Sequence, residues 1–264
     1  MIDSNKIFVS TLVLNKIGEM ETLVSNGVGI EIFAEGPEWD DLDKGFKVVK
    51  DIFKNYPCSF DLNLASSYPV IRKLTTDIYK NVIEKSSEIG CHYIVFHTHN
   101  YSAHIFNKKE VQKRVKDTLY ELSNLANRVG VKMLIENVGF GPSQLFDEKE
   151  FVEVIYEIDN IGALLDVGHA YINRWNIPGV ISRLGYKLEA LHIHDNKGQS
   201  DEHRAIGKGA IEFFEIWKSL NNTSSNPVLV LEYYNVSLER TLKDVEFLRK
   251  IAREVINTNE KEFV

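Results

Sequence analysis

Two cysteines, Cys58 and Cys91, are all that 264 residues contain. That is too few for a disulfide framework or a zinc ribbon, and it suits a reducing, cytoplasmic setting in which both act as small buried hydrophobes. Prolines are also scarce, six in all, and no stretch is low in complexity. Nothing marks a linker, so a single domain over 1–264 is expected. No window approaches the roughly 18 uninterrupted apolar residues of a membrane helix, and the first residues show no basic segment leading into an apolar one. A soluble, unprocessed chain is the expectation, with no membrane partner. Basic residues are in deficit, 31 against 38 acids, for a formal charge of −7. Such a balance repels a phosphate backbone, so nucleic acid is not an expected partner either. Oligomeric state is left open, a homo-oligomer included.

What the chain does have is enough apolar residue, 44%, to bury a large core. Short runs rich in branched side chains recur over 7–13, 29–33, 59–64, 93–97, 132–136, 161–166, 190–194 and 228–232, which predicts eight strands. Between them lie stretches of helical period. Over 70–89 the predicted stripe is Ile71, Leu74, Ile78, Val82 and Ile83; over 111–129 it is Val115, Leu119, Leu122, Leu125 and Ala126. Gly27, Gly90 and Gly130 stand just before strands and read as helix stops. Strand then helix, repeated about eight times in this length, predicts an α/β fold, the (β/α)8 TIM barrel, with a doubly wound open sheet as the alternative. The polar residues favour the barrel: His97, Glu136, Asp166, His192 and Glu232 each sit at or near the end of an otherwise apolar strand. In a barrel those ends converge on one mouth.

All eight histidines lie between His92 and His203. With two glutamates and an aspartate, the strand ends offer hard and borderline ligands that suit Mn, Mg, Co or Zn. Carboxylates gathered at the ends of apolar strands are costly without a compensating cation, so one divalent ion is expected. His192 and His194 share a strand face, and either could point inward.

These segments resemble the xylose-isomerase-like TIM-barrel superfamily, sugar phosphate isomerases and epimerases related to TIM-barrel apurinic endonucleases. The resemblance rests on Leu134-Ile135-Glu136-Asn137, Leu165-Asp166-Val167-Gly168-His169, His192-Ile193-His194-Asp195, the run Asp201 to Gly209, and Leu231-Glu232. It implies a metal held by Glu136, Asp166, His192 and Glu232, with His169 beside it. The family spacing selects His192 as the ligand, pairing with Asp195. His97, His169, His194 and His203 are then expected to line the substrate. Asp201 and His203 stand where the endonuclease branch places ligands for an additional metal. That branch also expects a histidine on strand three, where this chain has Cys58-Ser59-Phe60-Asp61-Leu62-Asn63. Glu31 resembles a frequent family glutamate and is left outside the catalytic set.

The activity implied is metal-dependent isomerisation or epimerisation of a small sugar, sugar phosphate or polyol-type substrate through an enediolate. Glu136 and Glu232, on opposite sides of the mouth, are the acid and base candidates. The alternative is an apurinic endonuclease-like phosphodiesterase. Weaker signals remain. His99 and His104 read as solvated loop residues, with Tyr101 between them able to close over a ligand. Trp39 and Trp175 are candidate walls for a sugar ring. Gly207-Lys208-Gly209 is either a tight turn or an anion cradle.

Overall fold

The computed structural model describes residues 3–14, 19–33, 58–60, 63–99 and 107–261. The strands are β1 (Ile7–Ser10), β2 (Gly29–Phe33), β3 (Cys58–Phe60), β4 (Tyr93–Phe96), β5 (Lys132–Glu136), β6 (Ile161–Asp166), β7 (Leu188–Ile193) and β8 (Val228–Leu231). The helices are α1 (Met20–Ser25), α2 (Pro69–Ile89), α3 (Lys108–Val129), α4 (Glu148–Glu157), α5 (Val167–Ile172), α6 (Ile177–Leu184), α7 (Phe213–Asn221) and α8 (Leu238–Lys261). Strand order follows chain order, with β8 pairing back on β1 in parallel, which is the (β/α)8 TIM-barrel topology. Cys58's side chain, and Trp39, Tyr101 and His104 altogether, lie outside the described residues.

Two compact units divide the chain, Met1–Glu31 with Leu164–Val264, and Ile32–Ala163; the division falls inside β2 and β6. In the first unit, Val9 of β1 aligns with Ile30 on one side and Leu231 on the other. β7 runs beside β8 from Ala190↔Val228 to Ile193↔Leu231. Strands covered on both faces bury most of their side chains, which is why they read as largely apolar runs rather than alternating ones. Leu229, Val230 and Leu231 have essentially no exposure.

In the second unit, β4 aligns with β5 from Tyr93↔Lys132 to Phe96↔Ile135. Gly90 and Gly130 close α2 and α3 in the left-handed region, at φ +77° and +79°, as helix stops should. On α2 the buried face is Thr75, Tyr79, Val82, Ile83, Ser86 and Ile89; Val82 and Ile83 of the predicted stripe are in it, whereas Ile71 and Leu74 are exposed. Tyr79 sets that face. Its ring packs 4.4 Å from Phe96 and its hydroxyl donates to the His97 carbonyl at 2.8 Å. Cys91 is buried, as expected.

β2, β5 and β6 coincide with the expected runs and β7 begins two residues earlier, whereas β1, β3, β4 and β8 are shorter. β1 ends at Ser10, whose Oγ accepts from the Leu12 N–H at 3.4 Å and starts a 3₁₀ turn, Thr11–Val13. β4, β7 and β8 each stop one residue before the histidine or glutamate predicted to end them, so His97, His194 and Glu232 lie just past the ladder. No helix among the described residues is long and apolar enough to cross a membrane.

Candidate metal centre

Asp166 ends β6 and at the same time caps α5: its Oδ1 accepts the His169 N–H at 2.6 Å. The capping and site roles of this residue are compatible, because the second oxygen points elsewhere. Asp166 Oδ2 lies 3.0 Å from His194 Nε2 and 3.8 Å from His192 Nδ1.

His192 meets a carboxylate on both sides of its ring. Nε2 is 2.7 Å from Glu31 Oε1, and Nδ1 is 3.1 Å from Glu232 Oε2, with all three side chains buried. An ionised Glu31 can only accept, so it fixes the hydrogen on Nε2. The lone pair of Nδ1 is thereby turned toward oxygens of Glu232 and Asp166, which are also acceptors. Acceptor atoms converging in a buried space call for a cation between them. Two groups here, Glu31 with His192 and Glu232, and Asp166 with His194 and Glu232, bring ligand atoms within 4.8 Å of one another.

A further group within the same span is His169, His194, Asp201 and His203. Asp201 Oδ2 lies 3.1 Å from His169 Nε2 and 3.0 Å from His203 Nε2, while Oδ1 is 3.6 Å from His194 Nε2. His194 stacks on His203 at 4.1 Å between centroids. Burial works against the ionised Asp201, but His169 and His203 outweigh it and hold the carboxyl well below the usual range. Burial likewise opposes a charged His203; the hydrogen bond it donates to Asp201 and the charges of Glu232, Asp201 and Asp166 outweigh it and push its pKa up to about 9. His203 also holds a left-handed backbone, φ +44°, uncommon without glycine, and places Nδ1 3.0 Å from the Glu232 carbonyl.

The residues present fit a divalent ion. His194 Nδ1 and Asp201 Oδ1 are buried without a hydrogen-bond partner among the described residues. The donors are imidazoles and carboxylates, the set such ions take. Gly168 is the spatial condition for this packing, since a Cβ there would land on the His194 ring.

Of the four ligands expected from sequence, Asp166, His192 and Glu232 are brought together. Glu136 belongs to the second unit, where its Oε2 lies 2.8 Å from His97 Nε2 and both side chains are buried. Among the four histidines expected to line substrate, His169, His194 and His203 gather around Asp201, and His97 partners Glu136. Glu31, left outside the expected set, proves to be a direct partner of His192. An acid inside the apolar run Gly29 to Phe33 was the available signal, because a buried charge requires a partner.

Three expectations change. His99 is not solvated: it is fully buried, with Nδ1 2.9 Å from Thr98 Oγ1 and Nε2 2.5 Å from the Ser143 carbonyl. The expected His192–Asp195 pairing gives way to Glu31 and Glu232 around His192, while Asp195 accepts the N–H groups of Gly209 at 2.7 Å and Ile211 at 3.2 Å. Those bonds also resolve Gly207-Lys208-Gly209 as a tight turn, Gly207 at φ +75°, with the Gly209 N–H already used. Trp175 is packed, at 9% exposure, rather than standing as a wall.

Residues 29–251 match the family model of the xylose isomerase-like TIM barrel. The chain is 30% identical over 193 residues to the uncharacterized protein MJ1614 of Methanocaldococcus jannaschii, covering 73% of this chain and 74% of that one. It is 27% identical over 178 residues to the inosose isomerase of Bacillus subtilis, covering 62% and 64%. Among solved structures, a D-tagatose 3-epimerase-like protein superposes with a TM-score of 0.79 at 25% identity, over 98% of this chain and 99% of that one.

Proposed function

The chain belongs to the xylose isomerase-like TIM-barrel family, and from that membership we propose that it is a divalent-metal-dependent isomerase or epimerase of a small sugar. One observation carries the reading: Nδ1 of His192 faces Glu232 Oε2 at 3.1 Å and Asp166 Oδ2 at 3.8 Å in a buried setting. Asp166, His192 and Glu232 are assigned to the metal, and Glu136 joins the set through its Leu-Ile-Glu-Asn motif. Mn, Mg, Co and Zn all suit these donors, and the bound ion supplies electrostatic stabilisation of an enediolate.

The side chains do the rest. One of Glu136 and Glu232 takes the proton from the carbon beside the carbonyl. The other returns a proton to the neighbouring position in an isomerisation, or to the opposite face of the same carbon in an epimerisation. A carboxylate can bind through one oxygen and carry a proton on the other, so the two roles coexist. Glu31 holds the His192 ring in place, and His97 orients Glu136. His169, His194 and His203 position substrate hydroxyls. The same reading makes the chain one functional domain, working in the cytoplasm on a small molecule, without nucleic acid or membrane.

The test is turnover of a ketose panel in deuterated water, where the product should carry solvent deuterium on the carbon beside the carbonyl. Turnover without deuterium would mean a hydride shift and leave the glutamates as ligands only. A second reading, a phosphodiesterase of the apurinic endonuclease kind, draws on the gathering of His169, Asp201 and His203. Plasmid DNA with abasic sites should not be incised above background at physiological salt; efficient incision would reverse the ranking.

A further inference from the structure

A cavity of about 730 Å³ opens in the first unit, between the loop after β7 and the segment leading from β8 into α8. Its lining begins at Asp201, the carboxylate that gathers His169 and His203, and continues past Tyr234 to Arg204, Lys208, Ser237 and Arg240. That volume is of the size that holds a small ligand. In a chain of net charge −7, a wall with three cations against two carboxylates, Asp201 and Glu202, is a local reversal of sign.

The two carboxylates are already engaged. Asp201 serves His169 and His203, and Glu202 Oε1 accepts from Arg204 Nε and Nη2. Arg240 is anchored by Nε on Asp244 and by Nη2 on the Ile206 carbonyl. Both guanidinium groups are thus held in place, and each keeps Nη1 without a hydrogen bond among the described residues. The Lys208 ammonium has no ion-pair partner among the described residues. The tight turn that spends the Gly209 N–H on Asp195 leaves the Lys208 side chain on the cavity. Fixed donors cost little further ordering when a ligand arrives. Loops after the seventh and eighth strands are, besides, where (β/α)8 barrels frequently hold phosphate.

We propose that this cavity is a subsite for the phosphate ester of a phosphorylated sugar, gripped by Lys208, Arg204 and Arg240, with the carbon chain passing Tyr234 toward Asp201. Tyr234 is 65% exposed and offers its ring to the apolar face of that chain. The inference rests on the isomerase or epimerase reading and names its substrate class, a ketose phosphate.

The experiment has two arms. In the first, inorganic phosphate is titrated calorimetrically into the metal-loaded protein, the chelator-treated protein, and the Lys208→Ala and Lys208→Glu variants. Wild-type binding should persist after chelation, weaken about tenfold in Lys208→Ala, as loss of a charged hydrogen bond entails, and vanish in Lys208→Glu. Lys208 is exposed, so neither change threatens the fold. Absence of binding by the wild type, or binding abolished by chelation yet unchanged in Lys208→Ala, overturns the subsite; the latter would put the anion on the metal. In the second arm, ketoses are compared with their terminal phosphate esters and with sugar acids. A kcat/KM preference for the esters that Lys208→Ala erodes mainly through KM supports the proposal, and a preference for the carboxylates overturns the phosphate assignment. Phosphate bound with no sugar turned over would sink the isomerase reading while leaving the anion subsite standing. Free ketoses turned over without phosphate binding would do the reverse.

Discussion

Buried histidines occur in both units, and their surroundings differ in kind. His99, in the second unit, sits between a hydroxyl and a carbonyl: Thr98 Oγ1 on one nitrogen and the Ser143 oxygen on the other. One partner gives and one takes, so a neutral ring is satisfied and acts as a peg between the loops after β4 and β5. His192, in the first unit, sits between Glu31 and Glu232, with Asp166 beyond, and every one of those partners takes. Burial is the same in both, essentially complete. The two rings differ in the number of acceptors facing them, and an excess of acceptors asks for positive charge.

The largest effect that tests this contrast lies at the carboxylates. Glu232→Gln and Glu136→Gln keep shape and part of the coordination but remove the basic oxygen, so kcat should fall about 10²–10⁴-fold while metal content changes far less. Equal loss of metal and rate would reduce both residues to ligands. Next comes Glu31→Gln, which exchanges the charged acceptor that sets the His192 ring for a neutral amide able to donate as well as accept; metal affinity should weaken about 10–100-fold, as for other partners of metal-binding histidines. Unaltered affinity by competition with a chromophoric chelator would dissolve the distinction drawn for His192. The smallest is His99→Ala, expected to cost about 1–3 kcal/mol of stability in chemical denaturation, with metal stoichiometry intact. Loss of metal from that variant would break the comparison from the other side.

Much of the candidate site is legible in the sequence because strands covered on both faces hold few polar residues, most of them near the strand ends. Asp166, His192 and Glu232 stood out as interruptions of apolar runs, and Gly90 and Gly130 announced helix ends through a purely local requirement. The misses share a physical cause, which is that a partner distant in the chain leaves no local mark. Glu31 and His192 are separated by 161 positions, and no period or spacing relates them. His99 looked like a loop residue because only the Ser143 carbonyl, 44 positions on, makes it a buried one. The stripe on α2 slipped because Tyr79 carries a polar tip that reads as surface, whereas its hydroxyl has a carbonyl to meet. Strand ends were overextended for the opposite reason: an apolar run does not tell where the ladder lets go.

Gly168 and His194 constrain each other across the space between α5 and the end of β7. The glycine needs no special backbone angle to justify it; what it provides is room, and the occupant of that room is an imidazole lying flat against it. A methyl group at 168 is intolerable while a ring stands at 194, and tolerable once the ring is gone, so the two substitutions are non-additive, the second forgiving part of the first. Enlargement at 168 therefore has to wait for a smaller side chain at 194, whereas loss of the ring at 194 does not depend on 168.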